Sequence, residues 1–236
     1  MMRIIIIGAG GHGKVVLDTL LNSSNIVREK IELIAFLDDD PAKKGRYIFN
    51  VPVLGTTKNL HKWLSEYEFN YGIVAIGDNI IRARYFFELI DIGIKPLTII
   101  HRNAIVSPFS RIGKGTVVVA GAVINSDARI GNNVIINTAA TIDHDCTIED
   151  HSTINPGAHL AGNVRVGNFS YIHTGAIILP NKKVGNNAIV GAGAVVINDV
   201  PDNYVVVGVP AKFLRYNKDR PDQKLLEKIS NAEENL

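Results

Sequence analysis

The stretch INSDARIGNNVIINTAATIDHDCTIEDHSTI, residues 124–154, decides the fold. An aliphatic residue returns at every sixth position: Ile124, Ile130, Ile136, Ile142, Ile148 and Ile154. The beat extends outward without a miss from Val106 to Val196, sixteen hexads in all. Four residues after each aliphatic stands a small side chain, such as Ala128, Ala140, Cys146 or Ala158, with Lys182 as the one break. Helices repeat every 3.6 residues and strands every 2, so neither holds a period of six over ninety residues. A sustained hexad predicts a parallel β-helix, in which short strands turn the first residue inward and a small fifth residue lets the corner close.

Composition bounds the rest. The chain has 236 residues, 46% hydrophobic and 20% charged, with a net charge of +2. This is an ordinary globular balance with room for a sizeable core. The basic residues are scattered, which argues against a nucleic-acid partner. No segment is apolar for the ~18 residues a membrane span needs. The start, MMRIIIIGAGGHG, runs straight into a glycine turn. It reads as a buried strand rather than a signal peptide, and the expected location is the cytoplasm. Cys146 occupies an inward hexad position and is expected to fill the core.

Residues 1–101 read as a Rossmann-like half of alternating strands and helices, which implies a parallel sheet. Strands are predicted at Arg3–Gly8, Glu32–Leu37, Tyr71–Ile76 and Leu97–Ile100. Helices are predicted at His12–Asn22, at Thr56–Tyr67 with Thr56 or Thr57 as cap, and at Asn79–Ile92. The turn Gly8-Ala9-Gly10-Gly11-His12-Gly13 satisfies G-x-G-x-x-G between a strand and a helix. Such glycines let the backbone approach a phosphate group at a helix N-terminus. Asp38-Asp39-Asp40 closes the next strand, where folds of this kind place carboxylates for ribose or base contacts. This acidic cluster comes later than in the dinucleotide pattern, and no second mononucleotide half follows. A nucleotide-sugar ligand therefore suits the turn better than a dinucleotide. Gly11, His12, Gly13, Asp38 and Asp39 are the candidate contacts.

Four histidines fall within the hexads, at the third (His144), fourth (His151), sixth (His159) and second (His173) positions. Inward slots are the first and fifth, so all four are expected on corners or outer faces. His144 lies between Asp143 and Asp145. Flanking carboxylates orient an imidazole and raise its basicity, as a general base requires. A solvated corner histidine is the bland alternative. A zinc site on His144, His151 and His159 is the sharp one, but the spacing does not enforce the geometry.

Taken in order, GAGGHGK (8–14), FLDDDP (36–41), AIGDN (75–79), NTAATIDHDCTI (137–148), GAHLAGNVRVGN (157–168) and VGAGAVVINDVPDNYVVVGVPAK (190–212) resemble one family. It is the left-handed β-helix sugar acetyltransferases of the sialic-acid O-acetyltransferase and bacillosamine N-acetyltransferase type. The resemblance implies a left-handed β-helix over residues 102–216 and a homotrimer with acetyl-CoA in the groove between neighbouring β-helices. It implies no metal, His144 as general base and Asp145 as its support. Gly11, His12, Gly13, Asp38, Asp39 and Gly77 would hold a nucleotide-linked amino sugar. Thr153, Thr174 and Ala192 would lie along acetyl-CoA. At position 153, relatives can carry a second histidine, which makes Thr153 a departure. Lys212 and Arg215 would lie within reach of a CoA phosphate. Residues 217–236 form a charged tail, with Leu225, Leu226 and Ile229 at helical spacing, and a short helix packed on the β-helix end or frayed is expected. The implied activity is N-acetylation of a nucleotide-linked amino sugar. O-acetylation of a sugar hydroxyl, a zinc-dependent β-helical lyase and a non-catalytic nucleotide-sugar sensor are the competing readings.

Overall fold

The computed structural model describes residues 1–27 and 30–233, with side chains in the last helix described as far as Lys228. The N-terminal half is a six-stranded sheet in the order β3-β4-β2-β1-β5-β6. Its strands are β1 (Met2–Ile7), β2 (Ile31–Leu37), β3 (Tyr47–Ile48), β4 (Val51–Gly55), β5 (Tyr71–Val74) and β6 (Lys95–Pro96). All pairs are parallel except the β3–β4 hairpin. Its helices are α1 (Gly11–Leu21), α2 (Leu60–Tyr67) and α3 (Asn79–Asp91). Ile4 to Ile7 are fully buried, as an unbroken β-branched strand between two layers must be. The sequence reading missed the hairpin, because Val51-Pro52-Val53 is too short to carry an alternation. The turn at Phe49-Asn50 has both φ values positive, at 46° and 69°, the geometry that joins two antiparallel strands tightly.

Seventeen two-residue strands follow, from β7 (Ile99–Ile100) to β23 (Val195–Val196). From β7 to β20 (Ile177–Ile178) each pairs in parallel with the strand eighteen residues on, so one coil is three hexads. The first-position aliphatics and the small fifth-position residues form one continuous core along the axis. From Gly115 to Gly193 the fourth residue of each hexad adopts positive φ, as at Asp127, Asn133, Asp145, His151, Asn163 and Gly175. Asn, Asp and Gly tolerate that conformation best and dominate those positions. The predicted strand 97–100 is split: Ile99–Ile100 pairs with Val117–Val118 and is already the first rung of the β-helix. Ile100 stands six residues before Val106, so the beat begins one hexad earlier than expected.

The coil is a triangular prism with three chemically distinct outer faces. One carries Val117, Ile135, Thr153, Tyr171 and Ile189, and the N-terminal half covers it. The second carries Ile105, Val123, Thr141, His159, Ile177 and Val195. The third carries Arg111, Arg129, Thr147, Arg165 and Lys183. Strands β24 (Tyr204–Val207) and β25 (Lys212–Tyr216) extend the first face past the last coil.

The tail also departs from expectation. Its helix α4 (Gln223–Glu233) packs on α3 of the N-terminal half, not on the end of the β-helix. Leu225 is buried there beside Phe87, and Asp222 and Lys228 pair with Arg84 and Asp91. Leu226 is exposed, and the Ile229 side chain lies outside the described residues.

A fully buried arginine ties the two halves together. Arg82 of α3 donates to the carbonyls of Asn133 (3.1 Å), His151 (2.7 Å) and Ser152 (3.3 Å), and to Ile76 (3.2 Å) at the end of β5. Burial pushes its pKa down to about 10, so it stays charged at neutral pH. His151 lies in the same seam, contrary to the exposed corner expected of it. Its ring packs against Phe86, Phe87 and Phe169, and burial followed by the Arg82 charge lowers its pKa to about 3. The fourth-position corner that should face water is covered by α3. Arg82→Leu should leave several buried carbonyls unpaired and lower the unfolding free energy by about 3 kcal/mol. A fall in the urea midpoint of that size is the expected result.

Candidate active site

Residues Asp143–Cys146 form the corner between the second and third faces of the prism. Asp143 Oδ1 accepts the His144 backbone N–H at 2.8 Å, which folds the corner tightly. Asp145 takes the positive-φ position, and Oδ2 of its carboxylate meets His144 Nδ1 at 2.8 Å. His144 stands in the open, and its pKa is raised, first by the Asp145 hydrogen bond and then by the Asp143 charge. With Nδ1 held by a carboxylate, Nε2 is the nitrogen that accepts a proton in the neutral form. One coil further on lies Gly162. A Cβ there would stand 2.6 Å from His144 Cε1, so only glycine leaves room for the ring. Sequence reasoning missed Gly162, although a glycine eighteen residues after a candidate base is a legible signal once the coil length is known. Cys146 turns inward and its thiol donates to the Ala161 carbonyl, as a core residue.

The second cluster gathers at the C-terminal edge of the N-terminal sheet. Gly13 opens α1 against β1: a Cβ there would lie 2.3 Å from the Gly8 carbonyl oxygen, so helix and strand approach this closely only with glycine. Gly10 and Gly11 face open space. His12 is largely buried with Nε2 lacking a hydrogen-bond partner. Burial, then the Arg82 charge, lowers its pKa to about 4, which keeps it neutral. Gly77 is exposed, and its carbonyl faces both Arg82 and the Tyr171 hydroxyl.

Asp38 and Asp39 are held by the protein itself. Asp38 accepts the Ala9 N–H at 2.7 Å and the Lys43 ammonium at 2.9 Å, and so braces the glycine turn. Partial burial would raise its pKa, but Lys43 and the backbone N–H groups outweigh it and leave it lowered. Asp39 accepts the Thr57 N–H (2.9 Å), the Thr57 hydroxyl (2.7 Å) and the Tyr85 hydroxyl (2.8 Å). Asp39, not Thr56 or Thr57, therefore does the capping at the start of the turn that leads into α2.

A feature not singled out in the sequence lies next to the turn. Ala9, Lys14, Lys43, Arg46, Tyr47 and Phe49 line an open cavity of about 430 Å³. Three cations and two largely exposed aromatics border one end of the glycine turn. The cations come from three separate elements, which is why no local motif announced them.

Thr174 and Ala192 share the corner between the covered first face and the second face, one coil apart. Thr153 does not join them. Its side chain is buried, and its hydroxyl donates to Asn79 Oδ1 at 2.7 Å. The seam that seals the two halves engages the group expected to lie along an acyl donor. The three histidines of the zinc alternative are also dispersed, with His144 on its corner, His151 buried and His159 bonded to Thr141 on the second face.

Comparison with known proteins agrees with this two-part architecture. Residues 3–89 match the PglD N-terminal domain, and residues 127–162 match the bacterial transferase hexapeptide, six repeats. PerB from Caulobacter crescentus, solved with CoA and GDP-perosamine, is 39% identical. The match covers 91% of this chain and 98% of that one, with a TM-score of 0.82. This chain belongs to the hexapeptide-repeat β-helix family of sugar N-acetyltransferases. The acetyltransferase domain of PglB from Neisseria gonorrhoeae, solved with acetyl coenzyme A, is 42% identical over 90% of this chain and 98% of that one, with a TM-score of 0.82. UDP-N-acetylbacillosamine N-acetyltransferase of Bacillus subtilis is 37% identical over 123 residues, and this match spans about half of each protein, 51% of this chain and 52% of the relative.

Two outcomes test the geometry of the base. Activity that needs neutral His144 rises as pH climbs through its raised pKa. Asp145→Asn removes the largest cause of the shift, so the rising limb of the kcat/KM profile should move to lower pH while the plateau falls. Gly162→Ala should displace the exposed ring at little cost to thermal stability, yet reduce kcat/KM about a hundredfold.

Proposed function

We propose that this protein transfers the acetyl group of acetyl-CoA to the amino group of a nucleotide-linked sugar, with His144 as general base. The observation that carries the reading is the exposed His144–Asp145 pair at 2.8 Å on a β-helix corner. It occurs in a chain whose other half has a glycine turn beside a cationic, aromatic-edged cavity. Neutral His144 takes a proton at Nε2 as the sugar nitrogen attacks the thioester carbon. Asp145 fixes the tautomer and stabilises the imidazolium. The carbon–sulfur bond then breaks, and the imidazolium returns the proton to the thiolate, giving the amide and CoA. The first-turn N–H groups of α1, with Lys14, Lys43 and Arg46, suit a diphosphate. Tyr47 and Phe49 suit the flat face of a base. Gly11, His12, Gly13 and Gly77 suit the sugar side, with Asp38 and Asp39 bracing the turn and the strand end. Thr174 and Ala192 suit the pantetheine arm of acetyl-CoA.

The active unit in this reading is a homotrimer. The N-terminal half covers one face of the prism, and His144 stands at the corner opposite that face. Base and sugar pocket of one protomer are thus on opposite sides of the molecule. The second face carries a line of apolar residues, with Ile105 68% exposed and Ile177 39% exposed. Exposed aliphatics on either side of the Thr141–His159 pair favour burial of this face against copies of itself. With that face turned to a threefold axis, the His144 corner of one protomer meets the corner of the next that carries Thr174 and Ala192. Acetyl-CoA would lie in that groove.

The test is thiol release from acetyl-CoA with UDP-, dTDP- and GDP-linked 4-amino sugars and with free sialic acid. Turnover with one amino-sugar nucleotide, reduced at least ~10²-fold in His144→Ala, is the expected result. Turnover with sialic acid alone would move the acceptor to a hydroxyl. Nucleotide-sugar binding without any turnover would overturn the enzyme reading. Co-refolding His144→Ala with Gly13→Val should restore part of the activity that each lacks, since a mixed trimer regains one intact shared site.

A further inference from the structure

His173 is an imidazole that the mechanism above leaves unused. It follows the rung Tyr171–Ile172 and directly precedes Thr174, on the corner between the covered and apolar faces. The side chain is half-buried. Its ring lies parallel to Tyr171, with centroids 5.7 Å apart and planes 9° apart. The Tyr171 hydroxyl accepts the Asn79 N–H at 2.6 Å and lies 3.4 Å from the Gly77 carbonyl oxygen. The stack therefore runs from the sugar-side loop of the N-terminal half to the corner of Thr174. One rung below, Asn155 Nδ2 faces His173 Nδ1 at 3.4 Å. With the amide N–H donating, Nδ1 is the acceptor and Nε2 carries the proton. Burial lowers the His173 pKa, so the ring is neutral where His144 works. The result is an oriented N–H donor without charge, held by one aromatic ring and one amide.

Acetyl transfer needs such a donor. As the sugar nitrogen bonds to the thioester carbon, the carbonyl oxygen becomes an oxyanion. The base that removes the amine proton is occupied at that moment. An aimed N–H group worth two to three orders of magnitude in rate is the usual solution. In the threefold arrangement, the partner's His144 faces this corner across the acyl-donor groove.

We propose that His173 donates its Nε2–H to the thioester carbonyl oxygen of the acyl donor, stabilising the oxyanion while the partner's His144 takes the amine proton. The inference rests on the acetyl-transfer reading. The electron pair moves from nitrogen to the carbonyl oxygen and back as the carbon–sulfur bond breaks, and His173 keeps its proton throughout. Tyr171 and Asn155 are positioning residues.

Steady-state kinetics of His173→Leu, His173→Gln and His173→Asn, with acetyl-CoA and the amino-sugar nucleotide that the wild type accepts, test it. Glutamine reaches the Nε2 position with an N–H, whereas asparagine stops near Nδ1. His173→Leu and His173→Asn should lose about a hundredfold in kcat. The KM for the nucleotide sugar should hold within about threefold, and His173→Gln should retain kcat within about tenfold. A leucine variant within threefold of wild-type kcat would overturn the role, and so would a glutamine variant no better than asparagine. If leucine fails to fold, the glutamine–asparagine pair decides alone. A wild type that turns over no acceptor would remove the acetyl-transfer reading and this inference with it.

Discussion

Stacking of one coil on the next is the constraint on which the rest depends. Rung after rung hydrogen-bonds to the one eighteen residues later until the last coil, and each inward aliphatic rests on the one below. A slip by one residue would turn the whole apolar column outward. The register therefore cannot drift, and every outward side chain is fixed in place by its number within the coil. His144 and Gly162 meet because they are one coil apart. Thr174 and Ala192 share a corner for the same reason. A two-residue rung offers little surface of its own, so the stack gains its stability by summing many small identical contacts, as solenoids do. The rigidity that results suits a base held by residues outside any conventional pocket.

The second constraint is the seam. A prism built of parallel rungs exposes three flat faces, and this chain gives each a different chemistry. The first is closed by the N-terminal half through Arg82, whose donors reach carbonyls in two corners of the β-helix and at the end of β5. Carbonyl acceptors do not neutralise the guanidinium, the Asp78 charge offsets it only in part, and two neighbouring imidazoles feel it. His12 and His151 are both held neutral, by burial first and by this charge second. The same guanidinium that fixes the halves thus sets a positive field beside the glycine turn. An anionic nucleotide diphosphate is a ligand that such a field favours.

Much of this was legible in the residues. The period of six named the β-helix, and the third-position histidine between two aspartates marked the exposed corner where an imidazole meets a carboxylate. What was lost concerns burial by distant segments. His151 and Thr153 occupy outward slots, and outward means exposed only where nothing covers the prism. The covering element, α3, carries Arg82 and Asn79 at positions that look like an ordinary helix face. Asp38 and Asp39 were read as ligand contacts from their place after a strand. Their partners, Lys43 and Thr57 with Tyr85, lie further along the chain and turn both carboxylates into braces. The cavity of Lys14, Lys43, Arg46, Tyr47 and Phe49 was invisible for the same reason, since it is assembled from a helix, a turn and a hairpin. Local pattern reports the inner face of a repeat faithfully, because each coil repeats the same inner environment. It reports the outer faces poorly, because their environment is set by other parts of the fold.

An exposed base is a fitting consequence of this architecture. A histidine buried as His151 is would be neutral and out of reach of any substrate. Placed on a corner, His144 loses the protection of burial, and its basicity must come from adjacent charge. Asp145 and Asp143 supply that charge from within the corner itself, which is only four residues long and whose third residue, Asp145, turns back in the left-handed conformation. The raised basicity is thus encoded within one hexad, while the glycine turn and its cavity are assembled from distant segments. This division explains why the proposed base was readable from five consecutive residues and the environment of the other candidate residues was not.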